Sequence, residues 1–276
     1  MRELAFRKMN GLGNSFVVMN DLDGQVSAQT DLPALARRIC DVHFGIGADG
    51  LVLVKASANR DFRMVIYNAD GSEAEMCGNG IRCFARYLRE EGMTANTELH
   101  IETLAGTIVT TLCDDGQVTV DMGAPVFRNA DVVAPEGNGP ARVTAQGREF
   151  LYVSMGNPHA VAFVDNLDFN WREEGAAVER STQVFPRHTN VEYVRVDGAA
   201  EVTMKVWERG CGETMACGTG ACALVVAGVE DRRLSPGDVR VHLPGGDLMI
   251  RYESGTHVWM TGPAVTVCRG TFLLDS

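Results

Sequence analysis

The tetrapeptide Cys77-Gly78-Asn79-Gly80 returns as Cys217-Gly218-Thr219-Gly220, at an offset of 140 in a chain of 276 residues. Self-similarity at about half the chain length constrains the fold more than local propensity does, because each copy must build the same supersecondary unit. The offset holds outside the tetrapeptide. Asp61-Phe62-Arg63-Met64-Val65-Ile66-Tyr67 alternates as a half-buried strand does, and Glu201-Val202-Thr203-Met204-Lys205-Val206-Trp207 alternates in the same phase. Both strands end on an aromatic and lead, through a polar loop carrying Glu73 or Glu213, to the C-G-x-G. Val118 to Gly123 before Ala124-Pro125 resembles Val258 to Gly262 before Pro263-Ala264, and Gly13-Asn14 has a counterpart in Gly156-Asn157.

Two related halves agree with the length, since a domain takes roughly 150 residues. The predicted domains are 1–122 and 123–263, with the Gly- and Pro-rich stretch from Gly123 to Pro140 at the boundary and 264–276 pairing back onto the first domain. After the first C-G-x-G, Ile81, Phe84, Ala85 and Leu88 recur at helical spacing, with Arg82, Arg86, Arg89, Glu90 and Glu91 on the other side. This predicts an amphipathic helix ending near Gly92. The partner segment, Ala221 to Gly228, is apolar all round, as a helix enclosed by sheet would be. Most other segments are short alternating runs joined by turns, such as Gly106 to Leu112 and Val118 to Met122 through Asp114-Asp115-Gly116. The expected fold class is α+β: two pseudo-symmetric domains, each a mostly antiparallel, barrel-like sheet wrapped around a central helix.

Composition removes several function classes. With 25 basic and 36 acidic side chains the formal charge is −11, 45% of residues are apolar and only 22% are charged. That balance excludes a disordered chain and argues against a nucleic-acid partner. No window reaches the 18 or so apolar residues of a membrane helix, and Met1 to Lys8 lacks the apolar run of a signal peptide, so no membrane partner and a cytoplasmic location are expected. In that compartment the eight cysteines are expected to be thiols. None has zinc-knuckle spacing and the six histidines show no HxxxH or HExxH grouping, so no metal is expected. Cys40, Cys83, Cys113, Cys222 and Cys268 read as packing residues. Gly45-Ile46-Gly47-Ala48-Asp49-Gly50 matches GxGxxG, but the strand-like Leu51-Val52-Leu53-Val54 follows it instead of a helix, and the dinucleotide reading fails.

Cys77 and Cys217 are different in kind, because each would stand at a helix N-terminus. Unpaired N–H groups and the helix dipole stabilise an anion there and can lower a thiol pKa from about 8.5 to roughly 3.5–7.5. A thiolate at neutral pH is the expectation, and the flanking glycines let a carboxylate approach the same N–H groups. Two such sites facing each other across a cleft would suit a reaction that takes a proton from one face of a carbon and returns one to the other. The thiols would titrate as a pair sharing one proton. Sequence alone also allows a plainer reading, in which both cysteines are small residues at tight turns. Likewise Asn14, Asn68 and Asn157 are first of all turn formers, His159 an ordinary loop histidine, and Glu208 and Arg209 a solvated strand end.

The segment Asn68-Ala69-Asp70-Gly71-Ser72-Glu73-Ala74-Glu75-Met76-Cys77-Gly78-Asn79-Gly80-Ile81-Arg82-Cys83, together with Met155-Gly156-Asn157-Pro158-His159 and Trp207-Glu208-Arg209-Gly210 leading to Glu213-Thr214-Met215-Ala216-Cys217-Gly218-Thr219-Gly220, resembles the signature segments of diaminopimelate epimerases. The resemblance runs from Lys8-Met9-Asn10-Gly11-Leu12-Gly13-Asn14 to the C-terminus. It implies a cofactor-independent epimerase that interconverts LL- and meso-2,6-diaminopimelate for lysine and peptidoglycan synthesis, working as a homodimer. It also implies that Cys77 and Cys217 are the acid and base and that His159 and Glu208 support catalysis. Asn14, Asn68, Asn157, Asn190, Glu208, Arg209 and the Gly78-Asn79 and Gly218-Thr219 backbones are implied to contact substrate. Two positions depart from the family pattern: Gly50 stands where some members have a substrate-touching Gln, and Cys211 replaces an aliphatic residue.

The chemistry is compatible with that resemblance. An α-proton is weakly acidic, so without a pyridoxal sink the developing carbanion must be stabilised by donors around the carboxylate. A pyridoxal cofactor is not expected, because the only lysines, Lys8, Lys55 and Lys205, lie outside the motifs. Arg209 offers a bidentate fork for the distal carboxylate, and Glu208 can accept from the α-ammonium. Two other readings stay open at this stage: a two-cysteine racemase or epimerase of the proline or hydroxyproline type, and a non-catalytic protein that binds a dicarboxylate.

Overall fold

Alternating strands and capped helices account for the elements of the computed structural model, which describes residues 2–274. They group into one unit of residues 2–120 with 262–274 and a second of residues 121–261.

The first unit runs β1 (Arg2–Gly11), β2 (Asn14–Asn20), α1 (Gln25–Ala28), α2 (Leu32–Cys40), β3 (Gly50–Lys55), β4 (Phe62–Asn68), β5 (Glu73–Ala74), α3 (Gly78–Glu90), β6 (Glu98–Thr103), β7 (Gly106–Leu112) and β8 (Val118–Asp121). The C-terminal strand Val265–Leu274 pairs antiparallel with β1. From there the sheet continues β2, β3, β4, β6, β7, β8, with the two-residue β5 also on β4. Among the described residues of this unit only β2/β3 and β4/β6 are parallel. Helix α3 touches β1, β2, β3, β4, β7 and the C-terminal strand, so the sheet curves around it. Leu12 (φ 62°) and Gly13 (φ 86°) both take left-handed conformations between β1 and β2. That is the two-residue turn that matches strand twist, and it sets Asn14 as the first residue of β2.

The second unit repeats the plan with β9 (Ala141–Ala145), β10 (Arg148–Ser154), β11 (Pro158–Phe163), α4 (Trp171–Glu179), β12 (Asn190–Gly198), β13 (Glu201–Glu208), β14 (Gly212–Glu213), α5 (Gly218–Glu230), β15 (Gly237–Leu243), β16 (Gly246–Tyr252) and β17 (Trp259–Gly262). Its order is β9, β10, β11, β12, β13, β15, β16, β17, with β14 on β13. The parallel pairs, β11/β12 and β13/β15, are the counterparts of β2/β3 and β4/β6. Strand β9 does for β10 what the C-terminal strand does for β1. The architecture is α+β, mostly antiparallel, with one enclosed helix per unit. Helix α5 buries residues on every side, from Ala221 to Gly228 without a break.

Three features differ from the sequence expectation. Strand β4 is not half-buried: Met64, Val65, Ile66 and Tyr67 are all buried. Val65 and Tyr67 pack in one cluster with Leu35 and Ile39 of α2, a helix whose N-cap Asp31 accepts from the Ala34 N–H at 3.1 Å. Helix α2, and α4 over Tyr193 and Trp207 in the other unit, cover a sheet face that alternation alone leaves to solvent. Arg82 does not join the solvated face of α3 and is fully buried. Its guanidinium donates to Gly78 O at 3.0 Å, Asn79 Oδ1 at 2.9 Å and Pro263 O at 3.3 Å, which offsets the cost of burying a charge. Cys268, expected in packing, is exposed on the C-terminal strand, where few residues before Phe272 face the core.

Candidate active site

Each C-G-x-G forms the first turn of its helix, with the cysteine as N-cap in an extended conformation (φ −140° for Cys77, −112° for Cys217). The Gly80 N–H donates to Cys77 Sγ at 3.4 Å and the Gly220 N–H to Cys217 Sγ at 3.3 Å. Sulfur here takes the place that Ser or Asp oxygen usually holds at an N-cap, so both thiols sit against the positive end of a helix.

Around Cys77 the structure gathers Asn14 and Asn79. Cys77 Sγ donates to Asn14 Oδ1 at 3.8 Å, and Asn79 Nδ2 reaches the same oxygen at 3.5 Å. Asn79 Oδ1 is in turn held by the buried Arg82. Asn68, at the end of β4, is exposed and donates to Ser72 Oγ at 2.9 Å. Gly50 pairs with Asn68 across β3/β4. A Cβ there would lie 2.8 Å from the Tyr67 carbonyl, so this backbone has no room for a side chain at 50.

Around Cys217 the setting is denser and charged. Cys217 is 4% exposed. Thr219 Oγ1 lies 3.5 Å from its sulfur and accepts from Asn157 Nδ2 at 3.3 Å. Asn157 Oδ1 lies 3.0 Å from Nε2 of the fully buried His159, whose Nδ1 lies 2.7 Å from Glu192 Oε1. Glu208 closes the other side: it accepts from the Thr214 hydroxyl and hydrogen-bonds with Cys217. Asn190 is 4% exposed, its amide donating to Pro158 O at 2.8 Å and its oxygen accepting from the Arg209 N–H at 2.9 Å. Asn190 therefore sets the backbone of Arg209, whose guanidinium donates to Arg187 O at 3.3 Å. Cys211, on the turn after Glu208, is exposed.

These surroundings reverse one sequence expectation. Cys217 is not primed as a thiolate: burial pushes its thiol well above the ordinary value, and the carboxylates of Glu208 and Glu192 add to that. The Thr219 and Gly220 hydrogen bonds oppose the shift without cancelling it. Burial likewise raises Glu208, against the bonds from Thr214 and Cys217. Each of the two groups therefore holds its proton more tightly than it would in water.

Glu192 and Thr214 are site residues that sequence reasoning did not find. Thr214 carried no signal. Glu192 carried one: it is the single charged residue in Asn190-Val191-Glu192-Tyr193-Val194, a stretch buried throughout. A glutamate in a run read as enclosed strand needs a partner. One ring nitrogen of His159, a Glu192 oxygen and Cys217 Sγ lie within 4.8 Å of one another, a set that could in principle ligate a metal. Each of the three already has a hydrogen-bond partner. A hollow of about 510 Å³ beside β1 and the C-terminal strand includes none of the motif residues.

The family profile of diaminopimelate epimerase matches residues 6–128 and 151–267. A diaminopimelate epimerase from Desulfitobacterium hafniense is 48% identical, with 98% of each chain covered. Another from Carboxydothermus hydrogenoformans is 49% identical over 98% of this chain and all of its own. Among solved structures, a phenazine biosynthesis protein of the PhzF family from Bacillus anthracis shares the fold at 18% identity and a TM-score of 0.75, covering 99% of this chain and 100% of its own. A hydroxyproline epimerase from Agrobacterium vitis does so at 18% identity and a TM-score of 0.67, covering 100% and 94%.

Proposed function

The chain belongs to the diaminopimelate epimerase family, and on that premise we propose how its residues invert a carbon. It is an isomerase, and its reaction interconverts LL- and meso-diaminopimelate. One thiolate, from Cys77 or Cys217, takes the α-proton as the Cα–H bond breaks, and its S–H bond forms. The other thiol gives its proton to the opposite face of the same carbon, which restores one proton to the pair. The N–H groups of Gly78-Asn79 and Gly218-Thr219 hold the α-carboxylate and stabilise the charge that develops on it. Glu208 accepts the Cys217 proton when that thiol must become the base, with His159 beside it. Asn14, Asn68 and Asn157 supply donors and acceptors, and Asn190 places Arg209 for the distal carboxylate.

The observation that carries this reading is that two cysteine N-caps recur in two units of matching strand order. No cofactor is needed in it. Lys55 is committed to Asp21 at 2.9 Å and to Ser27, and neither of the other two lysines lies in the cysteine-bearing segments. In D2O, deuterium should appear at the α-carbon of diaminopimelate, and none would appear if the protein only binds a dicarboxylate. Loss of activity on diaminopimelate in Arg209→Ala separates this reading from a proline-type racemase, which needs no anchor for a second carboxylate. We place the protein in the cytoplasm, supplying lysine and peptidoglycan synthesis. No helix among the described residues is long and apolar enough to cross a membrane. A homodimer is part of the same proposal. Val265 and Val267 on the C-terminal strand are each more than half exposed, and light scattering at working concentration gives the mass that decides it.

A further inference from the structure

We propose that Glu192 is a positioning residue that fixes the ring of His159 for proton movement at Cys217. The inference rests on the role given above to Cys217 and names the group that makes its surroundings work. Glu192 is 0% exposed on β12, and His159 on the neighbouring β11 is 0% exposed as well. The parallel register sets His159 opposite Asn190 and so brings the two side chains to the same face. Glu192 Oε1 meets His159 Nδ1 at 2.7 Å, while Glu192 Oε2 has no hydrogen-bond partner among the described residues. Taking a carboxylate fully out of water is costly, and a packed apolar residue in its place would avoid that cost. Structural stability is therefore a poor account of Glu192.

Orientation is a better one. A carboxylate against Nδ1 fixes the ring as an Nδ1–H donor and sets where Nε2 points, as a carboxylate does when it orients a catalytic histidine. Nε2 lies 3.0 Å from the Asn157 oxygen, the Asn157 amide donates to Thr219, and Thr219 touches the Cys217 sulfur, so the ring's direction sets the groups around that thiol. The backbone makes room for this. A Cβ at Gly220 would lie 2.6 Å from Glu192 Oε1 and 3.2 Å from Cys217 Sγ. The last glycine of the second C-G-x-G is thus what lets the carboxylate reach the helix end. At the equivalent offset of 140 the first unit has Val52 for Glu192. Phe16 pairs with Gly50 there as His159 pairs with Asn190. This Glu–His pair belongs to one half of the duplication only.

A double-mutant cycle tests the proposal in the full-length protein. Glu192→Gln should lower kcat by roughly 10- to 100-fold, the range lost with an outer partner of a functional histidine, with KM changed less than about threefold and the pH profile of kcat displaced. Glu192→Asp should recover part of the rate. Because Glu192 acts through His159, Glu192→Gln should cost no further rate in a His159→Asn background. Wild-type kcat and pH profile in Glu192→Gln, or fully additive losses in the cycle, would overturn it. If Glu192→Gln does not fold, the same cycle run with Glu192→Asp decides in the same terms. A wild-type protein without epimerase activity, or a Cys217→Ser variant at wild-type rate, would instead break the assignment of Cys217.

Discussion

The two half-sites share a backbone and differ in almost everything that surrounds it. Both cysteines cap a 13-residue helix and accept from the N–H three residues on. Beyond that, Cys77 is half-buried beside asparagines, and its helix carries a buried guanidinium, Arg82, on the Asn79 side chain. Cys217 is buried beside carboxylates. At the offset of 140 the pairs are Asn68 and Glu208, Val52 and Glu192, Arg82 and Cys222, Gly50 and Asn190. The two units thus carry matching cysteine-capped helix ends, and substitutions on the surrounding strands and helices place carboxylates beside Cys217 and asparagines beside Cys77. A two-base inversion needs one thiol with its proton and one without, and unequal surroundings are a way to keep the two from settling in the same state.

The largest test of that difference is removal of each thiol. Cys77→Ser and Cys217→Ser should each slow epimerisation by about 10²- to 10⁴-fold, the worth of a general acid or base, while calorimetry shows substrate affinity largely kept. Equal and small losses would erase the comparison.

Glu208→Gln comes next and should act on the Cys217 half alone. It should cost on the order of 10²-fold in kcat. Removing a carboxylate that pushes the Cys217 thiol up should also speed its alkylation by iodoacetamide, read by mass spectrometry, with the labelling of Cys77 unchanged. The same variant tests a stability effect. Glu208 has a raised pKa in the fold, chiefly through burial, so between its unfolded and folded values the native state holds the extra proton. Wild-type stability then falls as pH rises through that window above the usual carboxylate range. Glu208→Gln should lose this slope in a plot of Tm against pH.

Arg82→Met tests the other half. It leaves Asn79 Oδ1 and Gly78 O without their donor and should cost roughly 1.5–3 kcal/mol, the worth of hydrogen bonds to a charged group, measured by urea unfolding. The smallest contrast is between the second glycines of the two motifs. Gly220→Ala meets Glu192 Oε1 at 2.6 Å, an atom held by His159. It should cost about 1–3 kcal/mol as overpacking does and lower activity as well. Gly80→Ala meets the Ile66 tip at 3.2 Å, Cys77 Cβ at 3.4 Å and the Phe16 ring edge at 3.5 Å, and the better helix propensity of Ala should bring it near neutral.

Much of the frame was legible in the chain itself. The repeat, the phase of β4 and β13, the position of both N-caps and the enclosed character of α5 all follow from spacing, because period and turn chemistry act between near neighbours. The three departures in the fold and the unforeseen Glu192 share a cause. Helix α2 covers the far face of β4, Arg82 is drawn inward by carbonyls that include Pro263, Cys268 faces out from a late strand, and Glu192 meets His159 across β11/β12, 33 residues apart in the chain. Each depends on a group brought near by folding, which no local pattern encodes.

By itself, the sequence determined that two copies of one strand-and-helix unit exist and that each ends a strand on a cysteine-capped helix, since those are matters of periodicity and backbone freedom. Only the tertiary structure decided what each thiol feels. Burial and the charges across neighbouring strands set the protonation of Cys217, and desolvation and Coulomb energy depend on distance in space, which a fold creates and an order of residues does not.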